Sequence, residues 1–174
     1  MWSEKTVKPK ERRPKTPEQA LTSLMRLCAR AEKSSGDALR LMRTWGVEET
    51  ARQGVLQKLL DQRFIDDERY TGAFVREKTN LSGWGAYKIR TALQRKGVAR
   101  PLIDAALATT DPVATLERLR TQLLRKAKTA KCATPYELKT KLIRYGLSLG
   151  YEYEAVIEAA TTMIQCSEDE EVCF

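Results

Sequence analysis

The chain has 174 residues, of which 42% are hydrophobic and 31% are charged, enough apolar material for one domain or a few small units with a core. Its 31 lysines and arginines exceed its 23 acidic residues, so the formal net charge is +8, and it contains no histidine. The lack of histidine excludes Ser–His triads, Cys–His pairs and the common histidine-containing zinc sites.

The sequence shows no sign of a membrane or secreted protein. No apolar stretch approaches the roughly 20 residues that a membrane-spanning helix needs, and the first residues lack the apolar run of a secretory signal. The cysteines form no Cys-x-x-Cys pair, which favours isolated reduced thiols over a disulfide or metal framework. They are Cys28, Cys132, Cys166 and Cys173. We therefore expect a cytoplasmic protein that makes no membrane contact.

The two ends of the chain differ in composition from the middle. Residues 1–16 contain six basic residues, two acidic residues and two prolines, too little apolar surface to fold, so we predict a disordered basic arm. Residues 165–174 contain four acidic residues and no basic one, and we predict an acidic tail there. The charges of the two ends cancel, so residues 17–164 are basic in their own right.

The middle of the chain has the pattern of successive helices. Thr16-Pro17-Glu18-Gln19 predicts a capped start, with the threonine as cap, the proline in the first turn and the glutamine at the capping-box position. Apolar residues then recur at helical spacing until Ser34-Ser35-Gly36-Asp37, which ends this helix and begins the next. No segment alternates apolar and polar residues between hairpin turns, so the predicted fold class is all-α.

The same order of helices recurs three times. Gly46, Gly97 and Gly150 each follow the second helix of a set, and they lie 51 and 53 residues apart. This near-constant spacing is typical of tandem repeats. We predict an elongated array of three three-helix, helix-turn-helix-like repeats between the arm and the tail. The predicted boundaries are 17–65, 66–110 and 111–164.

Several spaced motifs lie around the join between the first two repeats. They are Phe64-Ile65-Asp66-Asp67-Glu68-Arg69-Tyr70, Phe74-Val75-Arg76, Ser82-Gly83-Trp84-Gly85, Lys88-Ile89, Leu93 and Lys96-Gly97-Val98. In this order they resemble the RecX family, bacterial regulators of the RecA recombinase, and the tryptophan–glycine pair is similar to the variant found in Bacteroidetes members. The resemblance is strong over residues 60–107, and the flanking repeats agree mainly in their helix pattern.

This resemblance implies an arc of three-helix repeats that lies in the groove of the RecA–DNA filament. There the family modulates, and usually inhibits, ATP hydrolysis, strand exchange and coprotease activity. It supplies no catalytic residues and no cofactor, so we expect a regulatory protein that is not an enzyme. The expected partners are the RecA filament and single- or double-stranded DNA, and we expect the protein to act as a monomer.

Asp66-Asp67-Glu68 is open to two interpretations. The three carboxylates could form a metal or catalytic cluster, or they could cap a helix, where its free N–H groups and the positive end of its dipole favour negative charge. The folded part of the sequence contains no histidine and no second carboxylate cluster. We therefore interpret Asp66 and Asp67 as structural residues, like the three glycines that end the second helices, and we expect no metal site.

Trp84 is also open to two interpretations. It comes directly after a glycine at the entry to a predicted helix, where it could pack on the neighbouring helix. Because tryptophan is enriched at binding hot spots, it could instead be an aromatic anchor for a partner. We keep Trp84 among the candidate contact residues.

Positive charge is concentrated in particular helices. The predicted second helix of the middle repeat and the first helix of the third repeat are strongly basic, whereas the predicted third helices are acidic or nearly neutral. In a helix-turn-helix the third helix would enter the major groove, and acidic side chains there would be repelled by phosphates, so sequence-specific operator binding is disfavoured. Contact with phosphates or with an acidic protein surface through the other helices remains open, as does a merely solvated charged face.

The main hypothesis is an interaction protein whose basic surface contacts neighbouring protomers of a RecA filament. The candidate contact residues are Arg76, Lys78, Trp84, Lys88, Arg90, Arg95, Lys96, Arg125, Lys126 and Lys128. The alternative is a non-sequence-specific DNA-binding protein with no recombinase partner. An enzyme is disfavoured because the sequence shows no nucleophile–base pair, phosphate-binding glycine loop or paired metal-ligand motif.

Overall fold

The computed structural model describes the backbone of residues 13–171 and the side chains of residues 13–165. This part of the chain forms nine α-helices and no strand, which confirms the predicted all-α class. The helices are α1 (Pro17–Cys28), α2 (Ser35–Thr44), α3 (Glu49–Asp61), α4 (Asp67–Asn80), α5 (Ala86–Arg95), α6 (Arg100–Ala108), α7 (Pro112–Thr129), α8 (Pro135–Ser148) and α9 (Tyr153–Glu171). The chain divides into two compact units, Met1–Asp66 and Asp67–Phe174.

The first unit contains one set of three helices. Helix α3 packs against both α1 and α2, and the buried side chains of Leu24, Met42 and Leu59 meet in the core between them. Thr16 caps α1, because its side chain accepts the Gln19 N–H while the Gln19 side chain accepts the Thr16 N–H. The predicted capping box is therefore present. Ser34 caps α2 through the Asp37 N–H.

The residues just before α1 lie against the end of α2. The Lys15 N–H donates to the Trp45 carbonyl oxygen (3.0 Å), and the Lys15 ammonium lies 3.7 Å from the centre of the Trp45 ring. Residues 13–16, the end of the predicted disordered arm, thus have a defined path, because this hydrogen bond and this cation–π contact hold them. The rest of the arm lies outside the described residues.

The second unit contains two sets of three helices, which we call the middle repeat (α4–α6) and the third repeat (α7–α9). In the middle repeat α4 packs on α5 and α6 around Ile89, Leu93 and Ile103. In the third repeat α7 packs on α8 and α9 around a second core. Its fully buried members are Leu119, Leu123, Leu142, Val156 and Ala160.

The last helix is longer than the sequence pattern suggested. Helix α9 continues to Glu171, past residue 164 where the third repeat was predicted to end. The backbone of residues 165–171 is therefore helical. The side chains from Cys166 onward, and hence the charges of the predicted acidic tail, lie outside the described side chains.

The second helix of each set ends in the same way. Gly46, Gly97 and Gly150 have positive φ angles of 71°, 75° and 85°. In each case the following residue donates its N–H to a carbonyl five residues back, for example Val98 to Leu93, while the glycine N–H bonds the carbonyl three residues back. This is the Schellman motif, in which a left-handed residue stops the helix, and glycine adopts that conformation without steric cost.

Candidate contact surface of the second unit

Two helices of the second unit meet end to end. The Gly85 N–H donates to the Leu149 carbonyl oxygen (2.8 Å), and the Tyr87 N–H donates to the Gly150 carbonyl oxygen (3.1 Å). The first turn of α5 has free N–H groups and the end of α8 has free carbonyls, so each satisfies the other. The positive end of the α5 dipole also faces the negative end of the α8 dipole. We call this contact the α5–α8 junction.

Two glycines allow the backbones of α5 and α8 to lie close together at the α5–α8 junction. A Cβ atom on Gly85 would lie 2.3 Å from the Gly150 carbonyl oxygen, and a Cβ atom on Gly150 would lie 2.4 Å from the Lys88 backbone nitrogen. Both separations are far inside van der Waals contact and involve backbone atoms, which cannot swing aside. Gly150 therefore has two functions, since it ends α8 and it lets α5 approach.

Lys88 is held by the same junction. Its ammonium donates to the Ser148 carbonyl oxygen (3.0 Å) and lies 4.8 Å from the centre of the Trp84 ring. A lysine at a helix C-terminus stabilises the exposed carbonyls, here from a neighbouring helix. This candidate contact residue thus has intramolecular partners for its charge and for one of its three hydrogen-bond donors.

Trp84 forms the centre of an aromatic and basic cluster. Its ring packs edge-on against Phe74, with the ring centres 6.5 Å apart, and the half-buried side chain also lies beside the Lys78 ammonium (5.5 Å). Lys78 in turn pairs with Glu77 at 2.6 Å. The contacts of Trp84 with its own repeat agree with the structural interpretation of this residue.

The remaining basic candidates of the middle repeat differ in exposure. Arg90 pairs with Asp104 (3.3 Å), and the Lys96 ammonium lies 5.6 Å from the centre of the Tyr70 ring. The side chains of Arg76 and Arg95 are exposed. Among the basic residues predicted on α5, Lys88 and Arg90 therefore have partners within the second unit.

Helix α7 presents its basic residues differently. Arg125 and Lys128 are exposed, and within the described part of the chain neither charged group makes a hydrogen bond or an ion pair. Lys126 is half-buried, with its ammonium 5.5 Å from the centre of the Tyr145 ring. Of the candidates in the third repeat, Arg125 and Lys128 are therefore those whose charges are directed to solvent.

A polar cleft of about 240 Å³ lies between the end of α4 and helix α7. Its lining includes Thr79, Asn80 and Gly83 from the middle repeat and Arg118, Gln122 and Arg125 from the third. Arg125 was a predicted contact residue, whereas the other five were not. The separation of Arg118 and Arg125 by seven residues, two helical turns, was a signal in the sequence that both lie on one face of α7. Nothing in the sequence indicated that α4 ends opposite them.

Tyr151 lies buried directly after Gly150, with a hydroxyl that finds no hydrogen-bond partner among the described residues. Burial raises the pKa of its phenol, against a smaller lowering by the positive charge of Arg118. The corresponding residues after Gly46 and Gly97 are Val47 and Val98, which are also buried. A tyrosine thus occupies a position that is apolar in the other two repeats.

The structure also describes the start of α4, the acidic residues near the start of α9 and two of the four cysteines. Helix α4 begins at Asp67, directly after Asp66, as the cap interpretation requires. Glu152, Glu154 and Glu158 are exposed at and beyond the start of α9, so the predicted recognition helix of the third repeat presents acidic side chains. Cys28 and Cys132 form no disulfide. The other two cysteine side chains lie outside the described residues.

Two further kinds of site are absent from the described residues. They contain no group of three or more His, Cys, Asp or Glu side chains that could hold a metal ion. Among the same residues, no helix combines the length and the apolar character needed to cross a membrane.

The middle repeat matches a known protein family. The family profile described as the second three-helix domain of RecX matches residues 66–107. A regulatory protein RecX of Clostridium botulinum (strain Alaska E43 / Type E3) is 31% identical over 133 residues, which is 73% of this chain and 58% of the relative. One from Halalkalibacterium halodurans is 32% identical over 126 residues, 71% of this chain and 47% of the relative.

Solved structures agree on the fold. RecX from Lactobacillus salivarius superposes with a TM-score of 0.74 at 18% identity, over 86% of this chain and 97% of that one. Another structure of regulatory protein RecX gives a TM-score of 0.75 at 21% identity, over 80% of this chain and 70% of that one.

The chain spans about half the length of the two sequence relatives. The predicted closeness to the Bacteroidetes variant stays a prediction. From the matching profile, the sequence relatives and the shared fold together, the chain belongs to the RecX family.

Proposed function

We propose that the protein regulates the RecA recombinase by binding the RecA–DNA filament, and that it inhibits ATP hydrolysis, strand exchange and coprotease activity. Membership of a family whose members are named regulatory proteins supports a regulatory role. The observation that carries the proposed contact is the exposed positive charge of Arg125 and Lys128 on α7. Cations without internal partners are available to phosphates or to acidic side chains of a protein filament.

The proposed mechanism is steric and electrostatic. A helical protein bound in the filament groove would occupy space that an incoming duplex needs, and by contacting two protomers at once it would restrain their relative rotation. Restrained rotation would slow ATP turnover. The second unit suits such a role because the α5–α8 junction and its hydrogen bonds hold its two repeats together. We propose that the protein acts as a monomer in the cytoplasm.

The contact residues of this proposal are fewer than the sequence predicted. Lys88 and Arg90 have partners within the second unit, so replacing them would change its stability as well as its surface. Arg125 and Lys128, together with the exposed Arg76, are better candidates for contact, because their charged groups make no hydrogen bond or ion pair within the described part of the chain.

The experiment is a RecA ATPase assay that depends on single-stranded DNA, with and without the protein. We expect the protein to lower ATP turnover, and we expect the double variant R125E/K128E to need at least about tenfold more protein for half-inhibition, since several charge-assisted contacts are reversed. The matched control R26E/R30E makes the same change in net charge at exposed positions of the first unit and should inhibit like the parent.

Two outcomes would contradict the proposal at different levels. Inhibition by folded R125E/K128E at the parent's concentration would remove helix α7 from the contact surface. An unchanged ATPase rate with the parent protein would remove the recombinase as partner. In the second case, DNA affinity that falls steeply with added salt would favour the alternative, a DNA-binding protein without a recombinase partner, which the same exposed cations also support.

A further inference from the structure

The cleft between α4 and α7 contains a buried hydroxyl without a partner. Thr79 is only 6% exposed, and its Oγ1 makes no hydrogen bond with any described residue. Other threonines in helices of the second unit behave differently, because Thr71, Thr91 and Thr121 each donate to the carbonyl four residues back. A buried polar atom without a partner is costly, so its presence points to a group that the cleft would receive.

Two guanidinium groups line the opposite wall of the cleft. Arg118 donates from Nη2 to the Asn80 side-chain oxygen (3.0 Å), which positions it across the cleft from α4 and leaves its other N–H groups available. The Arg125 guanidinium has no hydrogen bond or ion pair within the described part of the chain. Glu117 also lines the cleft, but its carboxylate pairs with Arg120 at 2.6 Å, so the free charge in the cleft is positive.

Gln122 adds a neutral donor to this wall. Its Oε1 accepts the Tyr145 hydroxyl (3.2 Å), which directs its Nε2 toward Gly83. A Cβ atom on Gly83 would lie only 2.3 Å from that Nε2, and Gly83 has a positive φ of 62°. Glycine at this position therefore leaves room for the amide of Gln122 at the mouth of the cleft.

We propose that this cleft binds a phosphate group, with the guanidinium groups of Arg118 and Arg125, the Thr79 hydroxyl and the Gln122 amide as its hydrogen-bond donors. Guanidinium groups bind phosphate oxygens through paired, charge-assisted hydrogen bonds, and a small set of converging donors is the usual form of such sites. The volume of about 240 Å³ is several times the roughly 30 Å³ that one water molecule occupies. A phosphate group would therefore fit.

The phosphate could belong to a nucleic-acid backbone or could be a free anion. In the first case the cleft would hold one phosphate of a bound strand and fix its register, as phosphate contacts generally do. The proposal does not require a RecA filament. It is therefore tested on the protein alone, so that its failure is distinct from failure of the proposed regulatory function.

The test follows amide and arginine Nε resonances of the full chain by NMR during titration. Inorganic phosphate is compared with chloride at equal ionic strength, and a third arm uses a short oligothymidylate. We expect phosphate, and not chloride, to shift the signals of Thr79, Gly83, Gln122 and the two arginines. Shifts of the same signals by the oligonucleotide at lower concentration would identify a nucleic-acid backbone as the source, whereas shifts by phosphate alone would identify a free anion.

Matched variants make the assignment specific. R125Q should weaken phosphate binding about tenfold, the usual effect of losing one charge-assisted hydrogen bond. T79V should weaken it by a smaller factor, about threefold, because the lost donor is neutral. The control T71V removes a hydroxyl from the same helix that already bonds the Asp67 carbonyl, and R26Q removes a charge elsewhere, so both should bind phosphate like the parent.

The proposal would be overturned by either of two results. Equal shifts with chloride and phosphate would mean that the anions only screen charge. Unchanged phosphate affinity in R125Q and T79V, with helical circular dichroism intact, would mean that phosphate binds elsewhere.

Discussion

The second helices of the first unit and of the third repeat end in the same motif, but the carbonyl groups after them accept hydrogen bonds from different parts of the chain. After α2, the Trp45 carbonyl accepts the N–H of Lys15, a residue just before α1. After α8, the Leu149 carbonyl accepts the N–H of Gly85, which belongs to the middle repeat. In both places a lysine ammonium also lies over a tryptophan ring, Lys15 over Trp45 and Lys88 over Trp84.

The same type of helix end is thus stabilised within a single three-helix set in the first unit and between two sets in the second unit. In the first unit the Trp45 carbonyl accepts a hydrogen bond from Lys15 of the same unit, so this helix end needs no donor from another repeat. In the second unit the carbonyls of one repeat are satisfied by the amides of another, so its two repeats depend on each other. This dependence agrees with the division of the chain into one small and one larger unit.

The largest expected effect comes from replacing the glycine of the α5–α8 junction. G150A places a methyl group 2.4 Å from the Lys88 backbone nitrogen and requires a positive φ, so we expect the free energy of unfolding to fall by about 3 kcal/mol. At Gly46 an added methyl would lie 3.2 Å from a Pro14 side-chain carbon, which would have to shift by only a few tenths of an ångström, so G46A should cost mainly the conformational strain, about 1–2 kcal/mol.

Urea unfolding followed by circular dichroism measures both changes. The control is G54A in α3, where an added methyl meets nothing within 4 Å, and it should stabilise the protein by about 1 kcal/mol. Equal losses in G150A and G46A would show that the two helix ends are not packed differently.

An intermediate effect is expected from the lysine at the α5–α8 junction. K88A removes the hydrogen bond to the Ser148 carbonyl and the contact with Trp84, so we expect a loss of about 1 kcal/mol and faster hydrogen exchange at the Gly85 and Tyr87 amides. K128A changes an exposed lysine of the same unit and should leave unfolding within about 0.5 kcal/mol of the parent. If K88A matched K128A in both measurements, Lys88 would be a surface residue and not a structural one.

The smallest effect at neutral pH, and one of opposite sign, is expected from Y151F. This change removes a buried hydroxyl without a partner among the described residues, so the free energy of unfolding should stay the same or rise by up to about 1 kcal/mol. The test is thermal unfolding at pH 7. A clear loss of stability would mean that the hydroxyl has a partner in solution.

The same variant tests whether Tyr151 makes the stability of the third repeat depend on pH. Burial raises the pKa of Tyr151, so the folded state holds this proton more tightly than the unfolded state does. The stability from the neutral phenol is therefore complete below the unfolded value near 10 and is lost as the pH rises through the folded pKa. Y151F should flatten this alkaline decline. The buried valines at the corresponding positions, Val47 and Val98, have no proton to lose.

Much of the fold could be predicted from the sequence because its signals are local. The capping box at Thr16, the break between helices at Ser34-Ser35-Gly36-Asp37 and the glycine after each second helix all depend on a few neighbouring residues, and the structure contains the corresponding helix ends. The end of α9 could not be predicted, because an acidic composition does not stop a helix that has no glycine or proline after it.

The candidate site was predicted less well. Sequence reasoning placed basic residues on α5 and α7, but exposure and partners separate them. Lys88 bonds a carbonyl 60 residues further along the chain, and Arg90 pairs across to Asp104 on α6. Thr79 and Gln122 gave no signal, because a hydroxyl or an amide in a helix has no distinctive pattern.

The sequence by itself determined the helical class, the helix boundaries set by caps and glycines, and the excess of positive charge, because each depends on residue type and on spacing within a few turns. Only the tertiary structure decided which cations remain free, where α8 meets α5, and that a threonine of α4 faces two arginines of α7. Those outcomes depend on contacts between residues that are far apart in the sequence, and a local sequence pattern does not show which distant residues come into contact.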